Sequence, residues 1–361
     1  MLILLKPDAA AAQRAEVQAA LRALGVATEV LDLPGRFAFI AEEGSGVPGE
    51  SIRRIPGVDQ VVPLGNGQAP LIHSTWSKTG RTVSLGGARF GGGHVGVIAG
   101  PCTVESQVDL ERTARQVAGA GAAALRGGVF KVRTSPHSYQ GGGTGALELL
   151  VTAAREVGLP FFTELNDPRQ VALVGDRLDG VQIGARHMQN FPLLQEVAAL
   201  GKPVLLKRHM AAGVDEWLLA AEYILAAGNE QVILCERGLK TSERHVRFLL
   251  DLGVVPYLKQ RIGLPIVVDP SHAAGHHELV PDLARAAVAA GADGLLIEVH
   301  PRPETTRCDA LQALPPTVFA ELMSDVRDLA AMSGRTVSGH VRAMREVPPH
   351  SDNTRSRSMG A

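Results

Sequence analysis

The hydrophobic pattern changes rhythm along the chain. Residues 1–64 read in the order strand, helix, strand, strand, helix, strand. LILL (2–5) is a short apolar run, and EVQAALRALG (16–25) has apolar residues at helical spacing and stops at Gly25. ATEVLDL (27–33) and RFAFIAE (36–42) flank Pro34-Gly35, a hairpin-turn signal. A short helix near 48–55 leads into QVVPL (60–64). This order predicts a small ferredoxin-like α+β domain over 1–66. A linker over 67–95 follows, in which Gly86-Gly87 and Gly91-Gly92-Gly93 bracket a β-hairpin.

From residue 96 short apolar runs alternate with helical stretches. The predicted strands are GVIAGPC (96–102), AALRGG (123–128), PFFTEL (160–165) and GVQIGA (180–185). PVLLKR (203–208), QVILCER (231–237), PIVVDPSH (265–272) and GLLIEVH (294–300) complete the set of eight. Near-continuous apolar strands linked by helices indicate a parallel sheet covered on both faces. Eight units over 96–334 match the roughly 250 residues of a (β/α)8 TIM barrel better than a doubly wound sheet. From Arg335 onward Pro, Ser and Arg mix without period, so 335–361 is predicted to be a disordered tail.

Composition then removes whole classes of function. With 45 % apolar and 20 % charged residues among 361, the chain is not disordered, collagen-like or disulfide-stapled. A formal net charge of −1 leaves no global field to recruit nucleic acid or an anionic membrane. Nine Phe, three Tyr and two Trp are too few for base-stacking platforms. The three cysteines, Cys102, Cys235 and Cys308, lie far apart, which points to a reducing compartment. The five apolar residues before Lys6 fall short of a signal-peptide core of roughly 7–15. No run approaches the length of about 18 apolar residues that a membrane span needs. A cytoplasmic location without membrane or nucleic-acid partners is expected.

Barrel enzymes place their chemistry at the carboxyl ends of the strands. Those ends carry Cys102, Arg126, Glu164, Gln182, Lys207, Arg208, Glu236, Arg237, Asp269, His272, Glu298 and His300. A purely structural barrel would not collect so many ionisable groups, because each costs desolvation unless paired. One sector is cationic: Arg126, Lys131, Arg133, Arg186, Lys207, Arg208 and Arg237. Such a convergence suits a load of phosphates and a carboxylate. A second sector, Cys102, His272, Glu298 and Asp309, offers a thiolate, an imidazole and two carboxylates to a borderline divalent ion. GGGTGA (141–146) lacks the order of a dinucleotide loop and reads as a loop before a helix. His276 and His277 read as helix-cap or exposed residues, Cys235 as core, and His209 and Met210 as pocket lining. Cys308 directly precedes Asp309, which would either put its Cβ within a short loop movement of Cys102 or leave its side chain pointing away into packing.

The strings IAGPCTVES (98–106), RGGVFKVRTSPHSYQG (126–141), QIGARHMQN (182–190), KPVLLKRHM (202–210), ILCERGLKT (233–241), VVDPSHAAG (267–275) and ADGLLIEVHP (292–301) resemble 3-deoxy-D-arabino-heptulosonate 7-phosphate (DAHP) synthase. The resemblance spans about residues 1–333 and is to the subtype with a ferredoxin-like domain before the barrel. It implies the entry reaction of the shikimate pathway, which leads to chorismate and the aromatic amino acids. Phosphoenolpyruvate and erythrose 4-phosphate condense in a metal-dependent aldol-type step, releasing phosphate.

The resemblance also implies residue roles. Phosphoenolpyruvate would be held by Arg126, Lys131, Arg186, Lys207 and Arg237, and the aldose phosphate by Arg133, Thr134 and Ser135. Cys102, His272, Glu298 and Asp309 would bind the metal, Mn2+ first and Fe2+, Co2+ or Zn2+ otherwise. Lys131, Glu164, Lys207 and His272 would carry the catalytic proton and charge handling. A homo-oligomer (tetramer or dimer) and an aromatic amino acid effector at the small domain are further expectations. Val132, His209 and the loop after Asp309 depart from the family pattern and bear on the choice of aldose acceptor. The competing readings are a synthase of a related 3-deoxy-ulosonate phosphate or amino-DAHP analogue, and a non-catalytic regulatory barrel that binds sugar phosphates.

Overall fold

The computed structural model describes residues 1–6, 9–33, 36–41, 46–62, 69–74 and 80–339. The first sheet comprises β1 (Leu2–Leu5), β2 (Thr28–Leu33), β3 (Arg36–Ala41) and β4 (Val58–Val62), with α1 (Ala11–Ala23) and α2 (Gly49–Arg53) between them. Its order is β2-β3-β1-β4, with every pairing antiparallel. β1 has no polar position because both its faces are covered. Ile3 and Leu5 pack with Val17, Leu21, Phe39 and Ile52, whereas Leu2 and Leu4 pack with Ala38 and Leu71. α1 starts at Ala11, five residues before the expected Glu16, because the alanine-rich run ahead of Glu16 is itself a strong helix former. It ends where Gly25 turns left-handed (φ 76°) and the Val26 N–H returns to the Leu21 carbonyl. The Pro34-Gly35 turn, Glu42, Pro63 and Leu64 lie outside the described residues.

The stretch read as a linker carries a short helix that periodicity could not reveal, α3 (Pro70–Ser74). The backbone N–H groups of Leu71 and Ile72 donate to the Glu222 carboxylate at 2.8 Å each, which ties this helix to the barrel wall. The expected hairpin forms from β5 (Thr82–Leu85) and β6 (Ala88–Gly91), which turn at Gly86-Gly87.

Eight parallel strands then close on themselves. In chain order they are β7 (His94–Gly100), β8 (Ala124–Arg126), β9 (Phe161–Leu165), β10 (Gly180–Ile183), β11 (Val204–Lys207), β12 (Val232–Glu236), β13 (Ile266–Val268) and β14 (Gly294–Glu298). Closure is the pairing of β14 with β7, from Gly294 opposite Gly96 to Glu298 opposite Gly100. The wall helices are α4 (Gln107–Ala120), α5 (Gly143–Val157), α6 (Pro168–Val174), α7 (Phe191–Ala199), α8 (Val214–Ala226), α9 (Val254–Lys259), α11 (Val280–Ala289) and α12 (Pro316–Met332). One extra helix, α10 (Pro270–Ala274), follows β13, so the Pro-Ser-His end of the predicted seventh strand is helical. Its start is set by Asp269, whose carboxylate accepts from the His272 N–H, and by Pro270 at the first helical position.

The expectation for the tail needs correction. Residues Thr336–Ser338, placed in the disordered tail, form β15, which pairs in parallel with the start of β7. Arg335 anchors it by donating to the carbonyls of Ala292 and Val288. His276 is exposed, in line with its reading as a helix-cap or exposed residue, and the partly exposed His277 begins a separate 3-10 turn; neither His276 nor the residue before α11 caps a helix through its side chain.

Along each barrel strand alternate residues face opposite sides. Val97, Leu125, Phe161, Val181, Leu206, Leu234 and Ile297 pack outward with the helices. Ile98, Ala124, Phe162, Leu205, Ile233, Val267 and Leu296 instead join Val83, Leu85 and Phe90 of the hairpin. The hairpin thus plugs the amino-terminal end of the barrel. Gly96 makes room for it, since a Cβ there would lie 2.4 Å from the Phe90 ring.

Candidate active site

The inward columns turn ionisable at the opposite end. Two residues beyond inward Ala124, Phe162, Leu205, Val267 and Leu296 stand Arg126, Glu164, Lys207, Asp269 and Glu298. Strand geometry alone therefore aims these five at one mouth.

Cys102, His272, Glu298 and Asp309 meet there, with one ligand atom from each and all these atoms within 4.8 Å of one another. Cys102 lies just past β7, His272 on α10, Glu298 at the end of β14, and Asp309 in the loop that follows. The Cys102 sulfur is 3.1 Å from Asp309 Oδ2, and His272 Nε2 is 3.1 Å from Glu298 Oε1. Glu298 is fully buried, and its Oε1 makes no hydrogen bond although Arg126 Nη1 approaches to 3.2 Å. A buried carboxylate oxygen without a proton donor, beside a thiol and an imidazole nitrogen, is the donor set of a transition-metal ion. The residues fit a metal.

Neighbouring side chains hold His272, Glu298 and Asp309 in place. Asp269 Oδ2 lies 2.8 Å from His272 Nδ1 and accepts from Lys207 Nζ at 2.7 Å. Gln312 donates to Glu298 Oε2 at 2.7 Å, which leaves Oε1 facing the cluster. Arg247 reaches Asp309 Oδ1 at 3.1 Å and Gln312 at 3.0 Å.

Above the cluster opens a cavity of about 370 Å³ lined by Lys131, Arg133, Thr134, Ser135, Glu164, Arg186, Lys207, Arg237, His272 and Asp309, among others. Arg126 is buried and pairs with Glu298. Arg237 is buried against the Phe248 ring, 4.0 Å from its centroid, and its Nη1 has no hydrogen-bond partner. Arg186 donates to the Val132 carbonyl at 2.9 Å, Glu164 accepts from Gln182 at 2.6 Å, and Lys131 Nζ lies 2.7 Å from the Cys102 sulfur. Gly184 has to be glycine, since a Cβ would sit 2.2 Å from Glu164 Oε1.

Arg208 does not belong to this group. It points outward, stacks 5.8 Å from the Trp217 ring and pairs with Glu236 and Asp251 at 3.0 Å each. His300 accepts from the Arg302 N–H, and Met210 lines the cavity while His209 does not. Arg247 and Phe248 are cavity residues that strand-end reading missed, because they sit far into the loop between β12 and α9. The length of that loop was the only available signal.

The charges interlock. Burial works against the Asp309 carboxylate, yet His272, Lys131 and Arg247 hold its pKa well below the ordinary range. Asp269 is likewise opposed by burial and held well down by His272 and Lys207. Burial is the largest influence on His272 and lowers its pKa, the direction of the neutral ring that a metal ligand needs, against Asp269, which raises it. The Cys102 thiol is pushed up by its hydrogen bond with Cys308, then by burial and Glu298. Burial is also the main pressure on Arg237, whose pKa falls.

Residues 75–332 match the DAHP synthetase I family. The chain belongs to that family. A phospho-2-dehydro-3-deoxyheptonate aldolase of Thermotoga maritima is 44 % identical over 256 residues, covering 71 % of this chain and 76 % of the relative. The crystal structure of a DAHP synthase from that organism superposes with a TM-score of 0.74 at 36 % identity, covering 93 % of this chain and 98 % of the other. A 2-dehydro-3-deoxyphosphooctonate aldolase of Syntrophotalea carbinolica is more distant, 31 % identical over 277 residues. The family is metal-dependent, in keeping with the four-residue cluster, and no described helix is long and apolar enough to cross a membrane.

Proposed function

We propose that this DAHP synthase family member condenses phosphoenolpyruvate with erythrose 4-phosphate, giving 3-deoxy-arabino-heptulosonate 7-phosphate and phosphate. The observation that carries this reading is the metal-ligand cluster beside a cavity lined by Lys131, Arg133, Arg186, Lys207, Arg237 and Arg247. A dianionic phosphate and a carboxylate match Arg126, Lys131, Arg186, Lys207 and Arg237, of which Arg237 has a buried N–H without a partner. Arg133, Thr134 and Ser135, which line the same cavity, take the second phosphate. Holding both substrates at close range removes the entropy of their encounter, worth several kcal/mol.

The enol carbon of phosphoenolpyruvate attacks the aldehyde carbon, water adds to the cationic second carbon, and phosphate departs by carbon–oxygen cleavage. When bound, a divalent ion supplies Lewis acidity for the aldehyde oxygen. Lys131, 2.7 Å from the Cys102 sulfur, presents an ammonium proton beside the reacting centre. Glu164, with Oε2 held by Gln182, orients the attacking water and takes its proton. Lys207 holds the phosphoenolpyruvate carboxylate while Asp269 fixes its direction. His272 would hold the metal through Nε2 while Asp269 fixes the ring at Nδ1.

Mn2+ is the ion implied by the family resemblance, with Fe2+, Co2+ and Zn2+ as the other candidates for this donor set. Residues 1–66 act as an effector domain in a dimer or tetramer, and 96–334 as the catalytic barrel. A turnover screen of phosphoenolpyruvate against four- and five-carbon aldose phosphates, with and without chelator, tests the reading. Metal-dependent phosphate release with erythrose 4-phosphate is expected. Preference for arabinose 5-phosphate would reassign the enzyme to octulosonate synthesis, and no turnover with any acceptor would leave a binding barrel. Inhibition by tyrosine or phenylalanine, present in the full chain and lost in a truncation starting near Val83, would establish the effector role.

A further inference from the structure

The three cysteines have different surroundings. Cys235 belongs to the apolar plug cluster with Ile233, Leu205 and Val267. Cys308 is equally buried but joins none of the apolar clusters among the described residues. Its sulfur instead lies 3.7 Å from the Cys102 sulfur and 3.2 Å from Asp309 Oδ2, and it accepts from Arg133 Nη1 at 2.6 Å. Consecutive residues in extended chain face opposite ways, so Cys308 and Asp309 would ordinarily not share a target. Asp309 is the one described non-glycine residue with a left-handed backbone (φ 55°, ψ 37°), and that turn brings both side chains to the Cys102 sulfur.

We propose that Cys308 is a second sulfur donor to the metal ion held by Cys102, His272, Glu298 and Asp309. The inference rests on the metal reading above and deepens it. Two thiolates at about 2.3 Å from one ion, at the tetrahedral angle, are separated by about 3.8 Å. The observed sulfur–sulfur distance is 3.7 Å, with both thiols free. Cys102 Sγ, Cys308 Sγ and Asp309 Oδ2 form a triangle with edges of 3.7, 3.1 and 3.2 Å, the dimensions of one face of a small coordination shell. Lys131 and Arg133, each within hydrogen-bonding distance of one sulfur, balance the added negative charge. A second thiolate makes the site softer, so it favours Zn2+, Co2+ or Cd2+ over Mn2+ relative to a one-thiolate site.

The test uses the full-length, reduced, metal-stripped protein and requires no turnover. After loading with Co2+, the thiolate-to-cobalt absorption of the parent should be about twice that of Cys308→Ser, since each coordinated thiolate contributes its own band. The preference for Cd2+ over Mn2+, measured by competition, should fall roughly tenfold or more in the same variant. Equal absorption and an unchanged preference in parent and Cys308→Ser would overturn the second donor while leaving the metal centre intact. Failure of Co2+ to bind either protein would overturn the metal reading itself. X-ray absorption on the Zn2+-loaded parent counts sulfur neighbours without any variant: two support the inference, and one refutes it.

Discussion

The two ends of the barrel are built from the same eight strands and carry opposite chemistry. At the amino-terminal end the inward residues Ile98, Ala124, Phe162, Leu205, Val267 and Leu296 meet the hairpin residues Val83, Leu85 and Phe90 in a dry apolar plug. One strand period further on, Arg126, Glu164, Lys207, Asp269 and Glu298 occupy the same columns, and all but Glu164 are nearly or fully buried. Apolar burial stabilises the first end at roughly 25 cal/mol per Å². Buried charge would destabilise the second unless each group is paired, which is why Lys207 lies on Asp269 and Arg126 beside Glu298. Apolar packing fills one end, and the cost of function is carried by the other.

Substitutions at the two ends should therefore separate cleanly. The largest effect is expected for Cys102→Ala, which removes one donor of the proposed metal cluster without touching the plug. Losing Lewis-acid assistance of several kcal/mol should lower turnover by roughly a thousandfold, with thermal stability of the metal-free protein nearly unchanged. Near-full activity would show that the mouth does not work through this cluster.

Phe90→Ala tests the other end. Phe90 is fully buried and packs edge-on against Phe162, with ring centroids 6.3 Å apart. Truncation should cost about 3–5 kcal/mol in denaturant unfolding, while KM for both substrates stays at the parental value below the melting range. A change in KM without a loss of stability would mean that the ends are coupled.

Asp269→Asn sharpens the comparison within the mouth. Asp269 faces His272 Nδ1 at 2.8 Å and accepts from Lys207, so it positions a ligand and a cation together. Metal affinity should fall by roughly 10–100-fold, read by calorimetry, with a separate rise in KM for phosphoenolpyruvate from the freed Lys207. A change in only one of these constants would assign Asp269 to a single partner.

The smallest effect is in pH. The raised pKa of Cys102 keeps its proton on the sulfur at neutral pH in the metal-free protein. Metal binding must expel that proton, so affinity rises with pH, by about tenfold per unit for each proton released. Calorimetry in two buffers of different ionisation enthalpy should register the release. A pH-independent affinity would show that the thiol does not ligate.

Much of this is legible in the sequence. Alternating strands such as PVLLKR and GLLIEVH dictate which residues face inward once a barrel is assumed, and three residues of the proposed metal cluster, Cys102, His272 and Glu298, sit at or just beyond strand ends, whereas Asp309 lies in a loop. The same alternation argues against counting Arg208 with Lys207, because consecutive strand residues face opposite sides. Arg208 indeed turns to Glu236 and Asp251 in the wall. Helix α3 and strand β15 were illegible, since five and three residues are too short to display a period.

Loops set the remaining boundary. The order of elements, the inward columns and the chemical type of each strand end follow from local sequence, because strand and helix periods repeat over neighbouring residues. Arg247 joining the cavity and Cys308 turning toward Cys102 were decided only by the tertiary structure. Neither residue lies in a periodic element. Arg247 is directed by contacts with Asp309 and Gln312, more than sixty residues away, and Cys308 by the left-handed backbone of its neighbour. Without a repeating period, the direction of a loop side chain is set by what it meets in space.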